Sequence, residues 1–351
     1  MRKAILIFVG AVLVIPLLVS AETEKDTQDF RLKYREVNDW TYWSPNPEPV
    51  TVGDVEVANL DVPGKGGKIR LEIRRDGFWA DSNGDGVVDV KSTNGALTLP
   101  LFYEDGSKGL YKILLRKVKG ELVYSRFCVM AGKVQGIPVT LIDENHNGIY
   151  GEIGTDTMLI GRENAASYVS SVVNIGGKLY NLEISPSGAK VTTTRYEGPS
   201  GVLDLNSKYK MKGKVRSHLR LATVKMGEDI FFNLAAKSKK FKIPTGEYDF
   251  ILGLVGAGKN QMADIEPGRM ESFTVKADEV TTYKWGSPGE IEFSALKAEG
   301  NITIETSGIA LYGQGGERYL RFRPVAFTPR IQVREVKTRK MVVERNMGGG
   351  C

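Results

Sequence analysis

Short apolar runs, separated by turn-forming residues, recur along most of this chain. Stretches rich in Val, Ile, Leu, Tyr and Phe alternate with Gly, Asn, Asp and Pro, as in β-strands joined by tight turns. A helical period is rare, and 163–173 is the best candidate for a helix. The pattern predicts an all-β, mainly antiparallel fold of two β-sandwich-like domains with little helix. In the first half, strands are predicted at 68–73, 97–103, 111–115, 122–130, 139–142 and 178–184.

A second set of strand patterns begins near residue 200. Within 241–285, Pro244, Gly246 and Tyr248 form a Pro-x-Gly-x-Tyr turn that precedes an apolar strand pattern. This segment resembles the transthyretin-like or collagen-binding-B-type β-sandwich modules of exported proteins. The resemblance implies a structural or binding module rather than an enzyme. A final hairpin is predicted at 331–344.

The first residues have the pattern of an export signal. Arg2 and Lys3 give a basic start, an apolar run follows, and small residues precede Glu22. The alternative is a retained membrane anchor, but the run is interrupted by Pro16 and is shorter than the roughly 20 residues of a membrane span. We therefore expect a cleaved signal peptide, no membrane span after cleavage, and a secreted, periplasmic or cell-envelope location.

Charge and apolar spacing divide the remaining chain. The segment after the signal is rich in Glu, Lys, Asp, Arg and Thr with weak apolar spacing, which predicts a solvated lead-in with at most one short helix. The total length suits two domains. The predicted units are a signal peptide at 1–21, a charged lead-in at 22–50, a β-rich domain with two acidic loops at 51–200, a β-sandwich domain at 201–345 and a flexible Gly-rich tail at 346–351.

Composition narrows the possible partners. The chain has 48 Lys and Arg against 42 Asp and Glu, a formal net charge of +6. A mildly basic exported chain is a poor candidate for nucleic-acid binding. Cys128 and Cys351 are the only cysteines, which excludes a disulfide scaffold. Apolar neighbours predict a buried strand position for Cys128, whereas Cys351 could pair with Cys128, pair with another chain or stay free.

The clearest chemical motif is the nine-residue loop 81–89, DSNGDGVVD. Calcium takes about six to eight oxygen ligands, and alternate residues of one tight turn can point inward together. Gly86 at position 6 allows the sharp turn. The alternative is a solvated Asn-Gly-Asp-Gly turn, but three crowded aspartates favour a bound cation. The predicted calcium ligands are Asp81, Asn83, Asp85, the backbone carbonyl of Val87, and Asp89.

This loop resembles the calcium loops of EF-hands and dockerins in its first nine positions. It departs from them at position 12, where those loops have a carboxylate and this chain has Ser92. Because position 9 is Asp89 and the flanks are strand-like, the loop is more similar to the calcium hairpins of integrin-type β-propellers. That resemblance implies ligands at positions 1, 3, 5, 7 and 9.

A second copy of the pattern, DENHNGIYGE at 143–152, follows the predicted strand 139–142. Gly151 replaces the aspartate of position 9, so weaker calcium binding is expected unless Glu152 or Asp156 completes the ligands. A bare turn is the alternative. Extracellular calcium would fill even sites with dissociation constants of about 10⁻⁴ to 10⁻³ M. The predicted ligands are Asp143, Asn145, Asn147, the carbonyl of Ile149, and Glu152.

A run of alternating basic residues offers a possible binding face. In a strand these side chains would form one positive face, which could bind an anionic polysaccharide or envelope polymer. The alternative is an edge strand that its lysines keep soluble. The residues are Lys208, Lys210, Lys212, Lys214 and Arg216.

Two functional hypotheses follow. The first is an exported calcium-binding β protein that acts as a binding or structural module; the whole chain resembles uncharacterised exported proteins with paired D-x-N-x-[DN]-G loops. The second is a secreted, carboxylate-dependent hydrolase of polysaccharide, which would need two carboxyl groups about 5 to 9.5 Å apart in a cleft. No catalytic residue can be named from the sequence, and the oligomeric state stays open.

Overall fold

The computed structural model describes residues 27–37, 49–162, 165–205, 217–235, 240–257, 261–286, 289–299, 301–323 and 330–346. The described residues contain strands, numbered β1 to β29 in chain order, and no helix. Nearly all strand pairs are antiparallel. The predicted all-β fold is therefore confirmed. The predicted signal peptide at 1–21, the basic run 208–216 and residues 347–351 of the tail lie outside the described residues.

The largest sheet of the first half has eight strands. In spatial order they are β13 (Ser167–Tyr168), β12 (Thr157–Ile160), β11 (Ile137–Ile142), β10 (Cys128–Val134), β1 (Thr27–Glu36), β16 (Lys190–Arg195), β15 (Lys178–Ile184) and β14 (Val172–Ile175). Strand β1 pairs with β10 along one half and with β16 along the other. It therefore joins the four strands β13 to β10 on one side to the three strands β16 to β14 on the other.

The predicted short helix in the lead-in is wrong, because its described residues form β1. Phe30, Leu32 and Tyr34 recur at every second residue, which is the period of a strand with one buried face. Leu32 is only 4% exposed and lies in the core. The charged residues between them occupy the solvent face of the strand.

Two four-stranded sheets complete the first half. One consists of β2 (Val50–Gly53), β9 (Glu121–Arg126), β8 (Lys108–Val118) and β7 (Ala96–Phe102). The other consists of β3 (Val57–Gly64), β4 (Gly67–Arg74), β5 (Gly77–Asp81) and β6 (Val90–Ser92). Both sheets contribute apolar side chains to one core with the eight-stranded sheet.

The second half forms further sheets. The largest contains β19 (Ile230–Asn233), β18 (Ser217–Met226), β21 (Gly246–Ala257), β22 (Gln261–Glu266), β27 (Arg318–Arg323), β26 (Asn301–Tyr312) and β25 (Glu290–Ala298), and β23 (Phe273–Val275) pairs with β21. A three-stranded sheet contains β20 (Lys240–Pro244), β17 (Ser200–Asp204) and β24 (Val280–Thr282), with β17 and β24 parallel. A second core packs between these sheets.

The helix predicted at 163–173 is wrong for its described residues, which include β13 and the start of β14. The backbone there bonds to other strands rather than along a helix. Ser171 N–H donates to the carbonyl of Asp229, and the hydroxyl of Ser170 accepts from Phe231 N–H at 2.9 Å. These contacts connect the first half to β19.

The predicted final hairpin is confirmed as β28 (Arg330–Arg334) and β29 (Met341–Asn346). The two strands form a sheet of their own, with most side chains exposed. The predicted turn before Tyr248 is also present, because β20 ends at Pro244 and β21 begins at Gly246. The Tyr248 hydroxyl donates a hydrogen bond to the Pro244 carbonyl across this turn at 2.9 Å. Within the described ranges, no helix has the length and hydrophobicity that crossing a bilayer requires.

Candidate metal centres

Both acidic loops connect strands that pair with each other. The first loop runs from the end of β5 to β6, and the second runs from the end of β11 towards β12. Each motif therefore begins where one strand of an antiparallel pair ends, as the sequence predicted. The two loops differ in burial, and this difference determines their electrostatics.

In the first loop, the backbone wraps around the carboxylate of Asp81. One carboxylate oxygen accepts a hydrogen bond from Gly84 N–H at 2.8 Å, and the other accepts one from Gly86 N–H at 2.9 Å. Asn83 Oδ1 accepts from Asp85 N–H at 2.9 Å, and Asp85 Oδ1 accepts from Val87 N–H at 2.8 Å. Successive Asx turns thus bring positions 1, 3 and 5 around one short loop.

Asp89 is held at the base of the same loop. Its two carboxylate oxygens accept hydrogen bonds from the Ser82 N–H at 2.9 Å and the Ser82 hydroxyl at 2.7 Å. Gly84 has φ +75°, and a Cβ there would lie 3.0 Å from Cα of Gly66. Asp81 is buried, while Asp85, Val87 and Asp89 are exposed. The loop therefore presents most of its oxygens to solvent.

In the second loop, the carboxylate of Asp143 is completely buried. Its Oδ2 accepts hydrogen bonds from the Tyr111 hydroxyl at 2.6 Å and from Gly148 N–H at 2.7 Å, and its Oδ1 accepts one from Asn147 N–H at 3.3 Å. Asn147 Oδ1 accepts from Ile149 N–H at 2.8 Å. The turn around the first aspartate is therefore repeated, but in the protein interior.

Glu152 lies over the asparagines of this loop. Its Oε2 accepts hydrogen bonds from the side-chain amides of Asn145 at 2.9 Å and Asn147 at 2.7 Å. Asp156 lies behind the loop and accepts hydrogen bonds from the backbone N–H groups of Glu144 at 3.1 Å and Glu152 at 3.0 Å. Glu152 thus contacts the other predicted ligands, whereas Asp156 fixes the two ends of the loop.

Burial changes the acidity of the carboxyl groups in the second loop. Desolvation raises the pKa of Asp143 to about 6, although the Tyr111 hydrogen bond and nearby Arg126 oppose the rise. Desolvation, followed by repulsion from Asp143, raises the pKa of Asp156 to about 8. A positive ion near these two groups would favour their ionised forms.

A buried shell surrounds the second loop, and the sequence did not reveal it. Arg126, only 1% exposed, donates to the backbone carbonyl of Asp143 and approaches Glu144 Oε2 to 3.6 Å. The hydroxyls of Tyr103 and Tyr124 donate to loop carbonyls at 2.8 and 3.1 Å. The available signal was an arginine inside the otherwise mostly apolar predicted strand 122–130, because a buried arginine needs buried acceptors.

The atoms that could bind a metal ion in both loops are oxygen atoms of carboxylates, side-chain amides and backbone carbonyls. His146 belongs to the second loop, but its side chain is buried and its Nδ1 accepts from Arg126 N–H at 3.5 Å. Within the described ranges, no group of three or more His, Cys, Asp and Glu side chains is close enough to hold a metal ion. Amide and carbonyl oxygens would have to complete each site. This oxygen-only donor set suits calcium better than zinc.

Cys128 is completely buried, as predicted from its neighbours. Burial raises the pKa of its thiol to about 11, so the thiol stays protonated at neutral pH. A protonated, inaccessible thiol is a poor nucleophile.

Comparisons with protein-family models, curated proteins and solved structures find no match to this chain. The resemblances to calcium loops and to transthyretin-like modules therefore stay predictions. The fold and the two loops are the evidence from which a function can be argued.

Proposed function

We propose that this protein is an exported calcium-binding β protein that acts as a binding or structural module of the cell envelope or extracellular space. The observation that carries the proposal is the repeated loop geometry. In both loops, alternate Asp and Asn side chains accept backbone N–H groups around one leading aspartate. Such turns place side-chain oxygens on one side of a short loop, where a calcium ion needs them.

The ligand residues proposed for the first loop are Asp81, Asn83, Asp85, the Val87 carbonyl and Asp89. Those of the second are Asp143, Asn145, Asn147, the Ile149 carbonyl and Glu152. A bound calcium ion would neutralise the carboxylates and hold the hairpin ends together. Without such an ion, the protein's own hydrogen bonds hold each loop in shape, so the ion would add stability by mass action.

A module is better supported than a hydrolase. A cavity of about 680 Å³ in the described part of the chain has no Asp or Glu among its described lining residues. The buried Asp143 and Asp156 belong to the second loop and bond to its backbone. Neither place offers an open cleft with a pair of carboxyl groups, which glycoside hydrolysis needs.

The test is thermal melting of the mature chain in calcium and in chelator. Calcium at ten times its dissociation constant would stabilise the protein by about 1.4 kcal/mol, a rise in melting temperature of about 2 °C for a chain of this length that unfolds as one unit. We expect Asp81→Ala to remove most of this calcium-dependent rise and Asp143→Ala to change the rise little. Asp143→Ala should lower stability in both buffers, because the Tyr111 hydroxyl loses its acceptor.

The matched control is Asp76→Ala, which removes an exposed carboxylate from the β4–β5 turn. It should keep the full calcium effect. Equal melting temperatures of the wild-type protein in calcium and in chelator would refute calcium binding. Export is tested separately by mass spectrometry of the purified protein, which should show Glu22 as its first residue.

A further inference from the structure

A cavity in the described part of the chain lies between the two cores of the molecule. Its volume is about 680 Å³. Met158 and Val173 belong to the first core, and Phe232 belongs to the second. Pockets of about 300 to 1,000 Å³ at such junctions are typical of small-molecule sites.

Hydrogen bonds between the two halves hold the walls of this cavity in place. The side-chain amide of Asn174 donates to the Lys242 carbonyl at 2.8 Å, and that of Asn233 donates to the Ala165 carbonyl at 3.2 Å. Both asparagines also line the cavity. Because the walls are fixed across the junction, the space is preformed and a ligand need not open it.

The walls are mainly aliphatic and aromatic. They include Met158, Ile160, Phe231 and Phe232, of which Met158 and Phe232 are almost fully buried. Val202 lies on the cavity side of β17, because its neighbour Leu203 faces the second core. An apolar ligand body would therefore be removed from water on several sides, which is the main source of affinity for such ligands.

The charged residues of the cavity are positive. Lys240 and Lys242 lie in β20 and are exposed, and the lining has no carboxylate in its described part. Lys240 approaches Asp204 to 3.8 Å. Lys242 is opposite Val202 in the β17–β20 register and forms no ion pair with a described residue. A negative group beside Lys242 would thus meet a positive charge next to an apolar wall.

We infer that this cavity binds an amphiphile with an apolar body and one anionic head group, of the size of a medium-chain carboxylate. The chain lies among Met158, Ile160 and Phe231, and the head group contacts Lys242. No residue of either acidic loop is among the described lining residues, so the inference does not rest on calcium binding.

The test is isothermal titration calorimetry of the mature chain with decanoate and with decyltrimethylammonium, both below their micelle concentrations. The two probes have the same chain length and opposite head charges. Decanoate should bind one molecule per chain, and decyltrimethylammonium should bind at least about ten-fold more weakly. Lys242→Glu should weaken decanoate binding about ten-fold or more and reduce the difference between the probes.

Two further variants locate the site. Val202→Trp should place an indole ring beside Lys242 in the cavity and weaken binding of both probes, and a melting curve checks that this variant is folded. Lys337→Glu makes the same charge change in the β28–β29 turn, away from the cavity, and should bind decanoate like wild type. The inference is overturned if decanoate gives no saturable heat, if both probes bind equally, or if Lys242→Glu binds decanoate as wild type does.

Discussion

Two buried carboxyl groups give the second loop an unusual dependence on pH. Without metal, the pKa of Asp143 is raised to about 6 and that of Asp156 to about 8, both mainly by desolvation. The unfolded chain ionises both near the ordinary aspartate pKa of about 3.9. Between about pH 4 and the raised pKa of each group, the folded state holds a proton that the unfolded state has lost. The contribution of these two groups to the free energy of unfolding is therefore greatest below about pH 4. It is lost as the pH rises through about 6 for Asp143 and through about 8 for Asp156.

We therefore predict that the metal-free protein loses stability between pH 4.5 and 8.5, with a slope of up to about 1.4 kcal/mol per pH unit for each proton. Urea unfolding at a series of pH values measures this slope. Asp156→Asn should remove most of the loss between pH 6 and 8, because the amide has no charge to desolvate. Stability that rises with pH over this window would contradict the prediction.

Gly151 occupies the position at which the first loop has Asp89. Its φ is +90°, and a Cβ there would lie 2.6 Å from Cβ of Ile184. A side chain at this position would therefore be strained and would clash with β15. The sequence showed that a ligand was missing, but only the fold shows why no ligand can stand there.

An aspartate placed at position 151 should therefore not supply the missing calcium ligand. We predict that Gly151→Asp lowers the free energy of unfolding by about 1 to 3 kcal/mol and does not strengthen calcium binding. Urea unfolding in calcium and in chelator measures both effects. The control is Gly120→Asp in the β8–β9 turn, outside both acidic loops, where φ is +94° and no atom lies near the Cβ position, so it should cost less and leave calcium binding unchanged. A Gly151→Asp protein as stable as wild type would show the argument to be wrong.

At the scale of elements, apolar periodicity predicted most strands but could not show which sheet a strand joins. The segment 122–130 was predicted as one strand and forms β9 and β10, which belong to different sheets. The division falls at Phe127, whose carbonyl accepts from Val37 N–H and whose N–H donates to the carbonyl of Lys112. Those partners are far away in sequence, so no local pattern could identify the division.

The same limit applies to the surroundings of the second loop. Its predicted residues come from one continuous motif, and the structure places Asn145, Asn147 and Glu152 in contact as expected. Tyr111 and Arg126, which bond to Asp143, come from β8 and β9. Tertiary packing alone brings them there, which is why the sequence predicted the loop but not its burial.

The position of β1 gives a prediction for this element. Leu32 N–H donates to the Ala189 carbonyl at 2.9 Å, and Leu32 is buried in the first core. Leu32→Pro should remove this hydrogen bond and disturb both neighbouring strands, at a cost of about 3 kcal/mol or more. Val342→Pro makes the matched change in β29, where Val342 is 69% exposed and pairing is limited to one hairpin.

Thermal melting, monitored by circular dichroism, distinguishes the effects of the two proline substitutions. Leu32→Pro should lower the melting temperature strongly or prevent folding, whereas Val342→Pro should leave the main transition nearly unchanged. If both variants melted like wild type, β1 would not have the central place that its pairing with β10 and β16 indicates.

At the scale of the whole molecule, the predicted boundary at residue 200 does not separate two sets of core residues. Val172 and Leu179 come from the eight-stranded sheet of the first half, yet both are buried in the second core. Hydrogen bonds from Ser171 and Asn174 also cross to the second half. A shared core and a bonded junction couple the two halves, unlike the small polar interfaces between independent domains.

This coupling predicts that the described sheets unfold in one calorimetric transition. Leu71→Ala in the first core and Leu179→Ala at the junction should each cost about 2 to 5 kcal/mol, because both leucines are buried. If the halves unfold together, each substitution moves the single transition to lower temperature as a whole. If they unfold independently, Leu71→Ala would split the heat-capacity curve, moving one part and leaving the other at the wild-type temperature. Scanning calorimetry of the wild type and both variants distinguishes these outcomes, and a split curve would support the predicted boundary at residue 200 as a division between domains.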